Sequence, residues 1–405
     1  MANVSPLLPL EAPSRTDDDE VALEVSVVMP CLNEADTVGT CVEKAVRALR
    51  AAGIAGEVIV ADNGSTDGSQ RLAESEGARV VHVPRRGYGS ALIGGIEAAR
   101  GRYIIMGDAD DSYDFLEIPS FVKKLRDGYD VIQGCRLPSG GGRILPGAMP
   151  FLHRWWGNPM FSFLARKWFR APIHDVYCGL RGFTKAHFEK LDQRCTGMEF
   201  ATEMIIKSSL YSARIAEVPI TLHPDGRKAH APHLKTFRDG WRTFRFFLMC
   251  CPRWLFLLPG LGLVGLGLVA YALALPAISL GGITFDAHTL LYGSLAILCG
   301  YQSILFALFT TTFGVNAGLR PAPPGYDAFF KLVDLEKGLV LGLVATLAGA
   351  TLLIYALSLW INAGFGALPY PVTMRWAIPG TTLMALGFQT ILSSFFVSIL
   401  GMLRR

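Results

Sequence analysis

Short β-branched runs alternate with longer stretches of helical periodicity early in the chain, and four long apolar runs follow later. Val25-Ser26-Val27-Val28-Met29, Val58-Ile59-Val60-Ala61, Val80-Val81-His82-Val83 and Tyr103-Ile104-Ile105-Met106 read as strands, and Val131-Ile132-Gln133 as a further one. Helical patterns cover residues 35–52, 68–76, 90–100 and 116–127. Strand and helix in strict alternation predict a mostly parallel sheet with helices on both faces. The later apolar runs, residues 254–278, 290–313, 338–361 and 376–402, are each about long enough to cross ~30 Å of hydrocarbon. Burial inside a soluble domain is excluded because charge is almost absent within every run and the runs recur in series.

Composition agrees with this division. The chain has 405 residues, 51% of them hydrophobic, and a mean hydropathy of +0.35, above the soluble norm. Lys and Arg then set an orientation. Arg227, Lys228, Lys235, Arg238, Arg242, Arg245 and Arg253 precede the first span; Arg320, Lys331 and Lys337 lie between the second and third; Arg404 and Arg405 end the chain. The other two connections hold only Arg375, so the positive-inside rule predicts a multi-pass protein with both termini and the amino-terminal half in the cytoplasm. Eight cysteines without a CxxC pair or zinc-like spacing suit a reducing compartment. A net charge of +4 gives no reason to expect nucleic acid, whereas basic residues beside a membrane favour anionic head groups.

The expected organisation is a flexible tail (1–23) with Pro6, Pro9, Pro13 and the acidic run Asp17 to Glu20, an α/β domain (24–236), an interfacial amphipathic helix (237–253) and an all-α transmembrane domain of four helices (254–405).

Candidate chemistry collects at the carboxyl ends of the predicted strands, where open α/β sheets bind ligands. After the first comes Pro30-Cys31-Leu32-Asn33-Glu34, after the second Asp62-Asn63-Gly64-Ser65-Thr66-Asp67-Gly68, and after the fourth Gly107-Asp108-Ala109-Asp110-Asp111-Ser112-Tyr113-Asp114. Asp-x-Asp alone reads more readily as a solvated turn. Beside two other acidic loops it becomes a candidate for divalent-ion binding. A nicotinamide-binding domain is disfavoured: no G-x-G-x-x-G follows the first strand, and Gly87-Tyr88-Gly89-Ser90-Ala91 lacks the last glycine of that pattern. No P-loop is present either.

In this order and spacing, Val28 to Glu34, Asp62 to Gly68, Arg86 to Ala91, Asp108-Ala109-Asp110, Gly134-Cys135-Arg136, Asp175 with Cys178-Gly179, and Glu217-Val218-Pro219 resemble the family 2 glycosyltransferases of GT-A (Rossmann-like) fold. Within them the likeness is to the polyprenyl-phosphate group that includes dolichyl-phosphate mannose and glucose synthases. The resemblance implies a UDP- or GDP-linked sugar donor bound by Pro30, Leu32, Asn33, Glu34, Asp62, Asn63, Asp67 and Gly87. It implies Mg²⁺ or Mn²⁺ on Asp108 and Asp110, acting on the leaving diphosphate. The family's Gln is replaced here by Ser112, which leaves the third ligand open among Ser112, Asp111, Asp114 and water. Arg136 and Arg154 match positions that hold the phosphate of a polyprenyl phosphate. For Arg154, in Phe151-Leu152-His153-Arg154-Trp155-Trp156, a membrane-surface contact is an equal alternative. Arg227, Lys228 and Lys235 match a basic loop over the diphosphate, and positive-inside charge accounts for part of that loop. Helix capping is an alternative role for Asn33 and Asp67.

The reaction so implied is inverting transfer of one sugar to a polyprenyl (undecaprenyl- or dolichyl-type) phosphate at the cytoplasmic face. A diacylglycerol-like acceptor and a non-catalytic scaffold are the competing readings, and homo-oligomerisation through the spans is left open. A processive synthase is disfavoured because none of Arg154-Trp155, Arg253-Trp254 and Arg375-Trp376 has Gln three positions before its Arg.

Overall fold

The computed structural model describes residues 23–227, 236–332 and 334–402. The chain divides into two compact units, which over the described residues are 23–149, 178–192 and 217–227 for the first and 150–177, 193–216, 236–332 and 334–402 for the second. The division is not a single cut near residue 236, because two excursions of the amino-terminal half group with the membrane helices. Most of the amino-terminal tail, Lys228 and Lys235 lie outside the described residues.

The first unit contains β1 (Val25–Cys31), β2 (Gly56–Asp62), β3 (Arg79–His82), β4 (Tyr103–Met106), β5 (Val131–Cys135), β6 (Arg143–Ile144) and β7 (Arg181–Thr184), with β8 (Ile215–Pro219) at its edge and β9 (Thr221–Leu222) after it. Seven strands form one sheet in the order β3-β2-β1-β4-β7-β5-β8. Helices α1 (Val38–Ala51), α2 (Ser69–Ser75), α3 (Tyr88–Ala98) and α4 (Ile118–Arg126) alternate with the first five strands.

β1, β2, β3 and β4 pair in parallel, as the alternation predicts, but β7 enters between β4 and β5 antiparallel to both. No β-α-β unit delivers β7, which returns after a long excursion, so its strand direction is not encoded in local periodicity. β1 carries Val25, Val27, Val28 and Met29 with no exposed surface, the continuous apolar run of a strand covered on both faces. α1 starts at Val38 rather than at residue 35 because Glu34 O first accepts the Thr37 and Val38 amides, turning the chain before the helix begins. That turn leaves residues 32–37 as a loop at the sheet's carboxyl edge.

Of the remaining helices, α5 (Asn158–Phe169) and α7 (Glu199–Leu210) belong to the second unit and α6 (Lys185–Leu191) to the first. α8 (Thr236–Cys250) precedes the membrane helices α9 (Leu258–Ala274), α10 (Ala287–Asn316), α12 (Leu335–Asn362) and α13 (Tyr370–Met402), with the short α11 (Tyr326–Leu332) between α10 and α12. Among the described residues, four helical stretches are long and apolar enough to cross a membrane: Arg253–Ala274, Ala287–Asn316, Leu335–Asn362 and Tyr370–Met402.

The excursion at 150–177 belongs here because its aromatic residues pack on the helices around the first span. Trp168 stacks on Trp254 at 5.8 Å, and Phe161 and Phe169 both contact the fully buried Phe247. Between the membrane helices, small residues permit close backbone approach. A side chain at Gly342 would meet the Gly387 carbonyl at 2.8 Å, and one at Gly349 the Gly380 carbonyl at 2.6 Å. Tyr271 Oη bonds Ser294 Oγ (2.6 Å) and Thr382 Oγ1 (3.0 Å), joining α9, α10 and α13 by hydroxyls that lipid could not satisfy.

Candidate active site

The loops after β1, β2 and β4 meet at one edge of the sheet, and their polar groups fall into two sets. In the β2 loop the groups bond one another. Asp62 is fully buried; its carboxylate accepts the Gly64 and Ser65 amides (both 3.1 Å) and Gln70 Nε2 (2.8 Å), and His82 Nδ1 lies 3.2 Å away. Burial opposes its ionisation, but the hydrogen bonds from Ser65, Gln70 and Gly64 outweigh that and hold the carboxyl below the usual range.

Asn63 donates to Val83 O (2.9 Å) and Arg85 O (2.8 Å) and accepts the Gly87 amide (2.7 Å). It thereby fixes Gly87, whose φ of 131° suits glycine alone, at the start of α3. Asp67 accepts the Ala35 amide (2.9 Å) and the Ser69 amide (3.0 Å) and is likewise lowered, burial being overcome by the Ser69 bonds. Asn33, at φ 60°, accepts the Thr66 amide (2.8 Å) and donates its own amide to Ser65 Oγ (2.9 Å). Asn33 does not cap α1, whose N-cap Thr37 makes no capping bond; Asp67 lies one residue before Gly68, the N-cap of α2. Pro30, the penultimate residue of β1, and Leu32, just after that strand, are half-buried.

The β4 loop is different. Asp108 follows the strand by two residues, accepts Tyr88 Oη on Oδ1 (2.8 Å), and presses Oδ2 so close to Gly179 that a Cβ there would sit 2.5 Å away. Burial first, and then the nearby Asp110 charge, raise its carboxyl to about 6 against the Tyr88 hydrogen bond and the charges of Arg227 and Arg136. Asp110 is also buried; Oδ1 accepts the Ser112 amide (3.0 Å) and Ser112 Oγ (2.6 Å), while Oδ2 accepts Arg227 Nη2.

Arg227 reaches Asp110 because the chain after β9 runs beside this loop, with His223 N on Ser112 O (2.9 Å) and Gly226 N on Asp110 O (3.0 Å). Its Nε lies 3.0 Å from Glu34 Oε2 without hydrogen-bond alignment and 3.4 Å from Asp225 Oδ1. One guanidinium is thus set among three carboxylates. Arg136, directly after β5 and buried, donates from Nη1 to Tyr113 Oη (3.4 Å), which in turn accepts the Gly179 amide (2.8 Å).

The first unit therefore brings together Glu34, Asp108, Asp110, Ser112 and Arg227, and links Arg136 to them through Tyr113 and Gly179. Arg154 lies in the second unit, in the π-helical turn His153–Gly157, with its guanidinium 5.5 Å from the Trp155 ring centroid. Glu203, also in the second unit, accepts the Arg194 and Cys195 amides and pairs with Lys207 at 2.7 Å, a structural role.

Three participants are not evident from the sequence. Tyr88 lies inside a glycine-rich segment whose composition signals only a tight turn; Tyr113 lies in the loop after the fourth strand, where a phenol is no metal-ligand signal; Asp225 is an acid just before a basic run. A hydroxyl or carboxylate two or three residues from a motif carries no signal until the fold aims it.

Asp108 and Asp110 fit a divalent cation. A positive group already rests on Asp110, and a cation beside Asp108 would offset both causes of its raised carboxyl, burial first and the Asp110 charge second. Among the described residues no group of three or more His, Cys, Asp and Glu is placed to cage a metal. Two carboxylates suffice for Mg²⁺, which commonly completes its shell with substrate phosphates and water. Of the candidates for a third ligand, Ser112 donates to Asp110, Asp111 pairs with Lys44 at 2.7 Å, and Asp114 accepts the Leu116 amide.

Comparison with known proteins extends this picture. Residues 26–192 match Glycosyl transferase family 2, and residues 308–401 match the Glycosyltransferase family 2 C-terminal transmembrane region. The low-salt glycan biosynthesis hexosyltransferase Agl6 of Haloferax volcanii is 38% identical over 386 residues, 95% of this chain and 91% of that protein. The dolichyl-phosphate hexose transferase of the same organism is 30% identical over 56% of this chain and 94% of its own. Among solved structures, the glucosyl-3-phosphoglycerate synthase of Mycobacterium tuberculosis, in complex with Mn²⁺, uridine diphosphate and glucosyl-3-phosphoglycerate, aligns with 56% of this chain and 80% of its own at 20% identity and a TM-score of 0.45.

Proposed function

The chain belongs to glycosyltransferase family 2, and on that premise we propose that it transfers one hexose, with inversion, from a nucleotide sugar to the phosphate of a polyprenyl phosphate at the cytoplasmic membrane face. The observation that carries this reading is the cluster of Asp108, Asp110, Glu34 and Arg227 at the carboxyl edge of the sheet. The relatives named for hexosyl transfer and for a dolichyl-phosphate substrate support the acceptor class, and the four spans support its being a lipid. Lys and Arg in the segments outside alternate spans support the orientation.

Asp108 and Asp110 would hold Mg²⁺ or Mn²⁺, which when bound supplies positive charge to the departing diphosphate. Asp62, Asn63 and Asp67 keep the loops around the nucleoside in shape, leaving the backbone of residues 30–34 and Gly87 to line it. Arg227 would exchange its carboxylate partners for diphosphate oxygens, and Lys228 and Lys235 would join it.

Arg136 suits the acceptor phosphate because its planar fork matches two phosphate oxygens and Tyr113 fixes its direction. A phosphate monoester is already anionic, so attack on the anomeric carbon needs no general base. Directed in line, the attacking oxygen displaces the nucleoside diphosphate and inverts that centre.

The test is a donor-by-acceptor panel: purified protein, Mn²⁺ or Mg²⁺, labelled UDP- and GDP-sugars, and either polyprenyl phosphate or diacylglycerol. Label in polyprenyl phosphate, with the anomeric configuration opposite to the donor's, is expected; label in diacylglycerol alone contradicts the acceptor assignment.

A further inference from the structure

The membrane unit holds a cavity of about 870 Å³ between α10, α11, α12 and α13. It is open along one side, and its volume lies in the range of ligand pockets, about 300–1,000 Å³. Loose packing of these helices is not the explanation. α12 and α13 are in backbone contact through Gly342 with Gly387 and through Gly349 with Gly380, one and three helical turns further along α12 than Gly338, which lines the cavity. The space therefore lies beside a closely packed α12–α13 seam, which holds at the cavity as well, where a side chain at Gly338 would meet Ser394 Cβ at 2.9 Å.

The walls are suited to hydrocarbon. Leu305, Leu308, Leu341 and Val397 supply aliphatic surface, and Phe329 and Phe330, set edge to face at 5.4 Å, line it from α11. Three of its hydroxyls make bonds within the protein: Thr390 Oγ1 donates to Leu386 O (2.7 Å), Ser394 Oγ to Thr390 O (2.8 Å), and Tyr301 Oη pairs with Thr390 Oγ1 (2.6 Å). Hydroxyls bonded within the bundle need no water, so an apolar chain can lie against them at little cost.

One end of the cavity is polar. Asp334 caps α12 and pairs with Lys337 at 2.9 Å, beside Leu335 and close to Met402 at the other end of α13. By helix order this is the membrane side on which the first span begins.

We propose that this cavity seats the isoprenoid chain of the acceptor lipid, entering from that leaflet; the inference rests on the polyprenyl-phosphate reading above. A methyl-branched chain with one polar end fits an aromatic-walled cavity with one polar rim, and it is the one long hydrocarbon that the proposed reaction requires the protein to hold.

Two readouts test this. Full-length protein in phosphatidylglycerol vesicles is irradiated with a polyprenyl phosphate carrying a diazirine on its chain. Crosslinks within residues 390–402 or 329–341, competed by unlabelled polyprenyl phosphate but not by excess phosphatidylglycerol, are expected. Equal labelling of those segments by a diazirine phosphatidylglycerol, uncompeted by polyprenyl phosphate, identifies bilayer lipid only and overturns the proposal. Second, Leu308→Trp and Ser398→Phe, which fill the cavity, should raise KM for undecaprenyl phosphate about tenfold more than KM for the short-chain geranyl phosphate. The two KM values moving together, or neither moving, overturns it. If the unaltered protein uses neither prenyl phosphate, the acceptor reading falls, and the crosslink alone decides the cavity.

Discussion

Two acidic loops lie at the same edge of one sheet, and Asp62 and Asp67 of one stand in the opposite electrostatic state to Asp108 of the other. In the β2 loop, Asp62 and Asp67 receive backbone and side-chain donors and are held below the usual carboxylate range. In the β4 loop, Asp108 faces burial and the charge of Asp110 and is raised to about 6. A carboxylate surrounded by donors has already been satisfied and builds shape. A carboxylate beside another carries unrelieved charge and is poised for a cation. The motifs look alike in sequence, yet in the proposed reading one serves as scaffold and the other as cation site.

The sharpest way to break this comparison is to neutralise the site. Asp110→Asn should reduce turnover by about a hundredfold or more, the scale on which removal of one transition-state charge interaction is felt. Steady-state kinetics with circular dichroism as a folding control would check it, and near-normal turnover would remove the metal role.

Applying one substitution to both loops tests the contrast directly. Asp62→Asn puts an amide NH₂ against the donors at Gly64, Ser65 and Gln70 and should cost about 1–3 kcal/mol, read as a lower Tm. Asp108→Asn keeps an oxygen for Tyr88 and removes repulsion with Asp110, so its Tm should hold or rise. Equal losses of Tm would erase the distinction.

Arg227→Ala should raise KM for the nucleotide sugar about tenfold, because the diphosphate would no longer receive a charge-assisted hydrogen bond from the guanidinium. An unchanged donor KM, with turnover alone reduced, would assign Arg227 elsewhere.

The smallest effect is on pH. Asp62 has a depressed folded-state value, so the stability it contributes is present above the unfolded value near ~3.9 and is lost only as pH falls through the lower folded value. Asp108 has a raised value, so the stability from its protonated form is present below ~3.9 and is lost as pH rises through about 6. Metal binding must displace that proton, so apparent Mn²⁺ affinity should fall as pH drops below about 6. Titrations at graded pH would reveal this, and an affinity that stays constant from about pH 5 to about pH 7 would contradict it.

Much of the architecture is legible in the chain because its signals are periodic. The β-branched runs of β1, β2 and β4 and the charge-free spans are properties of consecutive residues, as is the basic character of Arg227 and its neighbours. The features that escape a reading of the sequence depend on residues far apart along it. β7 enters antiparallel beside β4 only because the chain returns after residue 177, and the same return brings Gly179 against Asp108. The segment at 150–177 joins the membrane helices through Trp168 and Phe247, a contact that no local pattern announces. At the site, spacing makes Asp62 and Asp108 equivalent acids. Only their donors and neighbours separate them.

The central claim is that Asp108 and Asp110, and not the β2 acids, are the cation site. Electron paramagnetic resonance of free Mn²⁺, titrated with protein in the presence of nucleoside diphosphate, reads this without turnover. The account predicts binding by the unaltered protein and by Asp62→Asn where that variant is folded, and affinity weakened by about tenfold or more in Asp110→Asn. Equal Mn²⁺ affinity in Asp110→Asn and the unaltered protein would contradict it.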